Sequence, residues 1–195
     1  LLIGGGAISD ELAQMIKPLP NAVWSTYGMT ETLSHIALRR LNGPDASLWY
    51  TPFDGVGISL NADGCLVIDA PEVCAEPLAT NDIAQLRTDD RTGKTLFRIK
   101  GRKDNVVCSG GIKIQIEEVE ETLRPHLSAP FMIVKRQDEM LGEKAILLTE
   151  STDLTHIEEI CRNTLPKYWV PREFLHIAHL PLTETGKPRR SFTPR

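Results

Sequence analysis

Three pairs of short apolar segments, each joined by a turn rich in Asp, Asn or Gly, constrain this chain more than any other feature. A strand whose partner arrives within a few residues is committed to antiparallel pairing. Segments 56–60 and 65–68 flank Asn61-Ala62-Asp63-Gly64, and 83–87 and 95–100 flank Asp89-Asp90-Arg91-Thr92-Gly93. Segments 131–134 and 145–148 flank residues 138–142. The first two pairs follow one another and predict a small β subdomain over about residues 51–100. The third keeps different company. Strand candidates at 106–108 and 113–116 precede it, followed by a predicted helix over about 117–127. In that helix Val119 and Leu123 share a face, while Glu117, Glu118, Glu120 and Glu121 are expected in solvent. Thr155-His156-Ile157-Glu158 matches a capping box that opens a second helix, which Pro166 ends. A last strand at 174–177 and an exposed turn at 183–187 complete a predicted α+β module.

Before residue 51 the pattern is of another kind. Residues 1–3 read as a buried strand, and Gly4, Gly5 and Gly6 as a turn where backbone comes close to something. Ser9 is placed to cap a helix, with Asp10 and Glu11 in its first turn. Strand, glycine turn and helix in succession are an α/β signal. Residues 23–26 read as a further strand. The chain enters its first strand at Leu1 with no initiator Met, so it is expected to be a fragment of a longer protein. Charged segment 101–105 separates the β subdomain from the α+β module that follows it.

Composition narrows the function classes. The chain has 195 residues, 41% hydrophobic and 25% charged, with a formal net charge of −4. That balance argues against bulk attraction to nucleic acid or an anionic membrane, although Lys187, Arg189, Arg190 and Arg195 make a local basic cluster. No apolar run reaches the ~18 residues of a membrane span. Cys65, Cys74, Cys108 and Cys161 form no CxxC pair and have no His at finger spacing. They are expected to be reduced thiols in a cytoplasmic protein rather than zinc ligands.

Two stretches and one residue carry chemistry. Tyr27-Gly28-Met29-Thr30-Glu31-Thr32 sits where a strand ends, the usual place for ligands in α/β sheets. It offers an aromatic plane, hydroxyls and a carboxylate, groups suited to stacking on a base, donating to phosphate and holding Mg²⁺. Gly101-Arg102-Lys103-Asp104-Asn105 is closed by Ser109-Gly110-Gly111, whose glycines permit positive φ or close approach of a ligand. Lys187 follows Gly186 in a Pro/Thr/Gly turn. Taken singly, each reads as a polar loop or a solvated side chain.

In order and spacing, these stretches together with Thr80-Asn81-Asp82 and residues 181–189 resemble the successive core motifs of the acyl-adenylate-forming superfamily. That group includes acyl-CoA synthetases, peptide-synthetase adenylation domains and luciferases. The resemblance covers essentially the whole chain. It implies a combined α/β and α+β fold: residues 1–101 as the end of the large AMP-binding domain, with its β subdomain, then 102–195 as a small mobile α+β domain hinged near Asp104. Gly5 and Gly6 would line the adenine and acyl pockets, and Tyr27 and Gly28 would contact the nucleotide, with Tyr27 stacking on adenine. Thr30 would contact the α-phosphate and Glu31 would hold Mg²⁺. Asp82 and Arg102 would bind the ribose hydroxyls, with Asn81 standing where the family usually has Gly. Ser109, Gly110 and Gly111 would line the pantetheine tunnel of CoA. Lys187 would bridge carboxylate and phosphate in the first half-reaction.

Residues 30–43, with 67–74 and 80–86, most resemble o-succinylbenzoate–CoA ligases of menaquinone biosynthesis. Ser34 and His35 then become candidates for hydrogen bonds to the acid. The resemblance implies a carboxylic acid, ATP and CoA as small-molecule partners, no nucleic acid, no membrane span, and leaves homo-oligomerisation open. The family's phosphate-gripping Ser/Thr/Gly loop is not found in these residues and is expected upstream of Leu1. The fragment by itself is therefore expected to be inactive. Other acyl- or aryl-CoA ligases, a carrier-protein adenylation domain, and a non-catalytic interaction module remain as alternatives.

Overall fold

The computed structural model describes residues 1–5, 8, 10–183 and 188–190, and for residues 10 and 11 the backbone alone. The chain divides into two compact units, Leu1–Lys100 and Gly101–Arg195. Mixed sheets dominate both, with few helices. Among the described residues no helix is long and apolar enough to cross a membrane.

The first unit opens with β1 (Leu2–Ile3), α1 (Asp10–Ile16), β2 (Trp24–Gly28), β3 (His35–Arg40) and β4 (Thr51–Pro52), which form a sheet in the order β1-β2-β3-β4. β1 and β2 are parallel, as they must be when a helical crossover joins them. Strand β3 was not anticipated from sequence, where residues 34 and 35 were read only as acid-facing candidates. The loop into β2 is organised by Asn42, only 2% exposed. Its amide donates to the carbonyls of Leu19 and Asn21, both at 2.9 Å, and its oxygen accepts from Val23 N at 3.0 Å.

A second sheet holds β5 (Gly57–Leu60), β6 (Cys65–Asp69), β7 (Leu78–Thr88) and β8 (Thr95–Arg102), in chain order. Both expected hairpins are there, and their turns are closed by side chains. Asn61 Oδ1 accepts from Asp63 N and Cys65 N, and Asp89 Oδ1 from Arg91 N and Thr92 N. β7 starts at Leu78, earlier than the expected residue 83, because Leu78 and Ala79 already pair with Ile68 and Val67. Its register then shifts before Ile83 meets Cys65, so Thr80, Asn81 and Asp82 sit at an irregularity of the ladder. Ile36, Ala37, Leu66, Ile68, Ala84 and Phe97 form the buried core of this unit.

The second unit contains β9 (Val106–Ser109), β10 (Ile112–Gln115), α2 (Ile116–Leu123), β11 (Phe131–Asp138), β12 (Gly142–Thr149), α3 (Leu154–Thr164) and β13 (Glu173–His176). Strand order is β10-β9-β12-β11, with β13 parallel to β12. Alternate residues of β11 and β12 point to opposite faces. Ile133 and Leu147 pack with Val119, Leu123, Ile157 and Cys161 of the helices, while Met132, Val134, Ile146 and Leu148 pack with Leu175, Ile177 and Leu180.

Three local expectations are corrected in this unit. α2 ends at Leu123 rather than near residue 127, because Pro125 lacks the N–H that would continue the ladder and restrains Arg124. α3 is capped by Asp153, whose carboxylate accepts from His156 N at 3.0 Å, so no capping box starts at Thr155. Glu120 is not solvated. It is 7% exposed and meets Arg190, whose guanidinium nitrogens lie 2.7 Å from both carboxylate oxygens.

Candidate active site

Where β2 runs out, a glycine is required. A Cβ on Gly28 would collide with the carbonyl oxygen of Ser34 and the Cα of His35, so only glycine lets the outgoing and returning chain come this close. Gly28 pairs with His35 across a register shift, and residues 29–34 project as a short excursion between β2 and β3. Thr30–Thr32 forms a single 3₁₀ turn within it. Thr30 and Glu31 are exposed, whereas Thr32 is 1% exposed.

Tyr27 lies two residues before this excursion, with Gly28 between. Its ring meets Phe97 edge-on at 5.0 Å and Tyr50 at 5.7 Å. Its hydroxyl donates to Asp82 Oδ2 at 2.7 Å, across 55 residues of sequence. Asp82 N in turn donates to Thr80 Oγ1 at 3.1 Å. Burial, then the hydrogen bond to the Asp82 carboxylate, pushes the Tyr27 phenol far above its ordinary range, so it stays a donor. Two residues read separately from the sequence as nucleotide ligands are thus joined directly. Phe97 and Tyr50, which build their surroundings with Thr80, were not singled out from sequence. Nothing local marks an aromatic in a strand as the wall of a site.

Glu31 presents its carboxylate from the 3₁₀ turn, and its carbonyl accepts from Cys74 Sγ at 3.1 Å. Among the described residues no group of three His, Cys, Asp or Glu gathers as a metal cage. A lone exposed carboxylate fits the way Mg²⁺ is held beside a nucleotide, by one or two carboxylates with substrate phosphates filling the rest. Ser34 and His35 are both exposed. Ser34 Oγ lies 3.0 Å from His35 Nδ1, and the imidazole meets Phe53 edge-on at 5.6 Å. Phe53 also borders a cavity of about 260 Å³ shared with Lys94 and Thr95. Gly5 has φ +91°, a conformation that suits glycine; Gly6 lies outside the described residues.

The remaining candidates belong to the second unit. Arg102 is exposed, donates to Asp104 at 3.3 Å, and its carbonyl accepts from Gln115 Nε2 at 3.1 Å. Asp104 sits in a 3₁₀ turn, Lys103–Asn105, tied to α2 by Asn105 Nδ2 donating to Glu117 Oε1. Ser109 pairs with Ile112 around Gly110 (φ +57°) and Gly111 (φ +83°), a two-residue turn in which both central positions have positive φ. Gly110 N donates to Leu141 O at 2.8 Å. Lys187 and the rest of residues 184–187 lie outside the described residues. The chain on either side is closed by the Leu182–Pro188 bridge and by Arg189 N donating to Pro181 O at 2.8 Å.

No family model matches the chain. Its homologues and structural neighbours are members of the AMP-forming acyl-CoA synthetase and adenylation superfamily, aligned over nearly all of it. The chain is 29% identical over 195 residues to 2-methylpropanoate–CoA ligase of Humulus lupulus, covering 94% of this chain and 31% of the relative. It is 27% identical over 212 residues to 2-succinylbenzoate–CoA ligase of Bacillus mycoides, covering 96% and 44%. The o-succinylbenzoate CoA synthetase of Bacillus subtilis, solved with the acyl-adenylate intermediate OSB-AMP, shares the fold: TM-score 0.74, 22% identity, 97% of this chain and 44% of that one. The chain spans less than half the length of the curated relatives it matches.

Proposed function

We propose that this chain is part of a cytoplasmic, AMP-forming acid–thiol ligase that activates a carboxylic acid with ATP and passes the acyl group to CoA, with o-succinylbenzoate as the acid. In this reading residues 1–101 close a large AMP-binding domain and 102–195 are a small mobile domain hinged at Asp104. The division of the chain between Lys100 and Gly101 supports it. The observation that carries the proposal is the 2.7 Å bond from Tyr27, near the end of β2, to Asp82, at the irregularity within β7, which brings an aromatic ring and a carboxylate to one place.

Each residue then has a job. The Tyr27 ring offers a face to adenine while its hydroxyl orients Asp82, whose carboxylate accepts from the ribose hydroxyls, with Arg102 as a second ribose contact. Thr30 donates to the α-phosphate. Glu31 holds Mg²⁺, which supplies charge neutralisation between the phosphates. Attack of one anion on another needs a cation at the forming bond, and Lys187 provides it as a point charge bridging carboxylate and phosphate. In the second half-reaction Ser109, Gly110 and Gly111 line the path of the pantetheine thiol. Exchange of the Lys187 and Ser109–Gly111 surfaces by a hinge at Asp104 lets one site serve both steps. Gly5 and Gly6 border the adenine pocket, and Ser34 and His35 hydrogen-bond the acid. This polypeptide by itself is expected to release no pyrophosphate from ATP.

A second reading, a ligase for another acid, is favoured by the slightly higher identity to the 2-methylpropanoate enzyme than to the 2-succinylbenzoate ones. One experiment separates the two. In the full-length protein, ATP–pyrophosphate exchange and thioester formation are measured with o-succinylbenzoate, 2-methylpropanoate, benzoate and fatty acids, alongside Lys187→Ala. Thioester from o-succinylbenzoate alone, with exchange lost in the variant, supports the full proposal. Turnover of another acid keeps the mechanism and discards the substrate. No exchange with any acid overturns the ligase reading.

A further inference from the structure

Thr32 is the one buried residue of the 29–34 excursion, and its hydroxyl braces both ends of it. Oγ1 accepts from Met29 N at 3.0 Å and lies 2.7 Å from Ser34 O and 3.0 Å from Met29 O, to either of which it can donate its single proton. The shorter bond goes to Ser34 O, the same carbonyl that would collide with a Cβ on Gly28. Two features therefore fix one atom: the missing side chain at Gly28 makes room for it, and Thr32 bonds it. Backbone bonds finish the frame, from Thr32 N to Met29 O at 3.1 Å, Leu33 N to Thr30 O at 3.0 Å and Ser34 N to Thr32 O at 2.6 Å.

The last of these closes a three-residue turn centred on Leu33, which is held at φ 59° although it carries a branched side chain 79% exposed to solvent. Such a γ-turn is rare and strained, and persists only when its surroundings over-determine it. No packing of the Leu33 side chain explains it, whereas the brace does. With Thr32 O and Oγ1 both committed around it, the chain has to reverse in one residue. The consequence falls on Thr30 and Glu31, which sit between the braced points with exposed side chains.

We infer that Thr32 is a positioning residue, which touches neither nucleotide nor metal and whose hydroxyl holds Thr30 and Glu31 in the geometry that the phosphate and Mg²⁺ require. This deepens the ligase reading above and rests on it. A displacement of about 1 Å at such groups costs on the order of 10²-fold in rate. Removing the brace should thus weaken acyl-adenylate formation. It should spare the second half-reaction, in which the adenylate is already made.

The test uses the full-length protein with Thr32→Val, which keeps shape and loses the hydroxyl, and Thr32→Ser, which keeps the hydroxyl. Three quantities are read: ATP–pyrophosphate exchange, its half-saturating Mg²⁺ concentration, and thioester formation from supplied acyl-adenylate and CoA. Expected for Thr32→Val are exchange reduced about 10²-fold, a raised Mg²⁺ requirement, and thioester formation close to wild type, with Thr32→Ser restoring exchange. Equal loss of both half-reactions in Thr32→Val, or no rescue by Thr32→Ser, overturns the positioning role in favour of general structural damage. Normal exchange in Thr32→Val overturns it as well. Wild-type protein without exchange on any acid overturns the ligase reading itself, and this inference with it.

Discussion

Tyr27 and Asn42 show how much single side chains decide in the first unit. The Tyr27 phenol is held protonated by burial and by the Asp82 carboxylate. Its folded pKa lies above the unfolded value near 10, so the stabilisation is fully present below that pH and is lost as pH rises beyond it. Unfolding free energy should accordingly fall above about pH 10, and Tyr27→Phe should flatten that decline while costing roughly 1–2 kcal/mol at neutral pH. Denaturant titrations between neutral and alkaline pH measure both effects. A decline equally steep in the variant would show that another group is responsible. Asn42 satisfies carbonyls and amides of the loop before β2 from a buried position. Asn42→Ala strands those groups away from water, and a loss of about 2–4 kcal/mol in urea melts is expected, against under about 0.5 kcal/mol for an exposed position. The two residues differ in how far sequence revealed them. Tyr27 is singled out only through the resemblance of its motif, since the hexapeptide alone reads as a polar loop, and its bond to Asp82 is not foreseen. Asn42 is not singled out at all, since its partners are carbonyls some twenty residues upstream and a lone Asn before Gly43 reads as a turn.

Elements set by local chemistry were legible from sequence, and those set by distant contacts were not. The hairpins at 57–69 and 78–102 follow from turn residues that bond their own backbone, which any window containing Asn61 or Asp89 displays. Strand β3 was missed because its register depends on β2 and β4, and nothing in residues 35–40 announces both partners. In the second unit the start of α3 was placed by pattern at Thr155, while an aspartate two residues earlier does the capping. Aspartate and threonine both cap, and only the geometry chooses between them. That choice is testable by thermal melts. Asp153→Ala should cost about 1 kcal/mol, and Thr155→Ala should stay within about 0.5 kcal/mol. The reverse order would restore the capping box. The excursion between β2 and β3 lies at the opposite extreme from the hairpins. Gly28 and Thr32 stand in the singled-out motif and Leu33 just after it, but their mutual dependence exists only once Ser34 O comes back to β2.

Each unit owns a separate apolar core and its own set of polar ties, which has a consequence for how the whole chain loses structure. In the second unit the Arg190 guanidinium donates to both oxygens of Glu120 and to Ile133 O, while Ile133 N donates to Glu120 Oε1 at 2.7 Å. The two side chains are 16% and 9% exposed, so removing one leaves a buried charge without compensation. Sequence reading put Glu120 on a solvated helix face and Arg190 in a basic cluster, because 70 residues separate them and each looks ordinary alone. Truncation of a buried pair costs about 3–5 kcal/mol, and for a unit of this size each kcal/mol lowers the melting temperature by about 4–8 °C. Arg190→Ala should therefore bring melting down by more than about 10 °C in the second unit. The three tryptophans report where the effect lands. Trp169 packs on the second unit's core, whereas Trp24 and Trp49 belong to the first. In Arg190→Ala the Trp169 signal should melt early while a Trp169→Phe version of the same variant, read through Trp24 and Trp49, keeps the wild-type transition. A joint shift of both signals would mean that the two cores unfold as one cooperative body. A replacement of both partners by Met should recover much of the loss, since two apolar side chains of similar volume leave no buried charge behind.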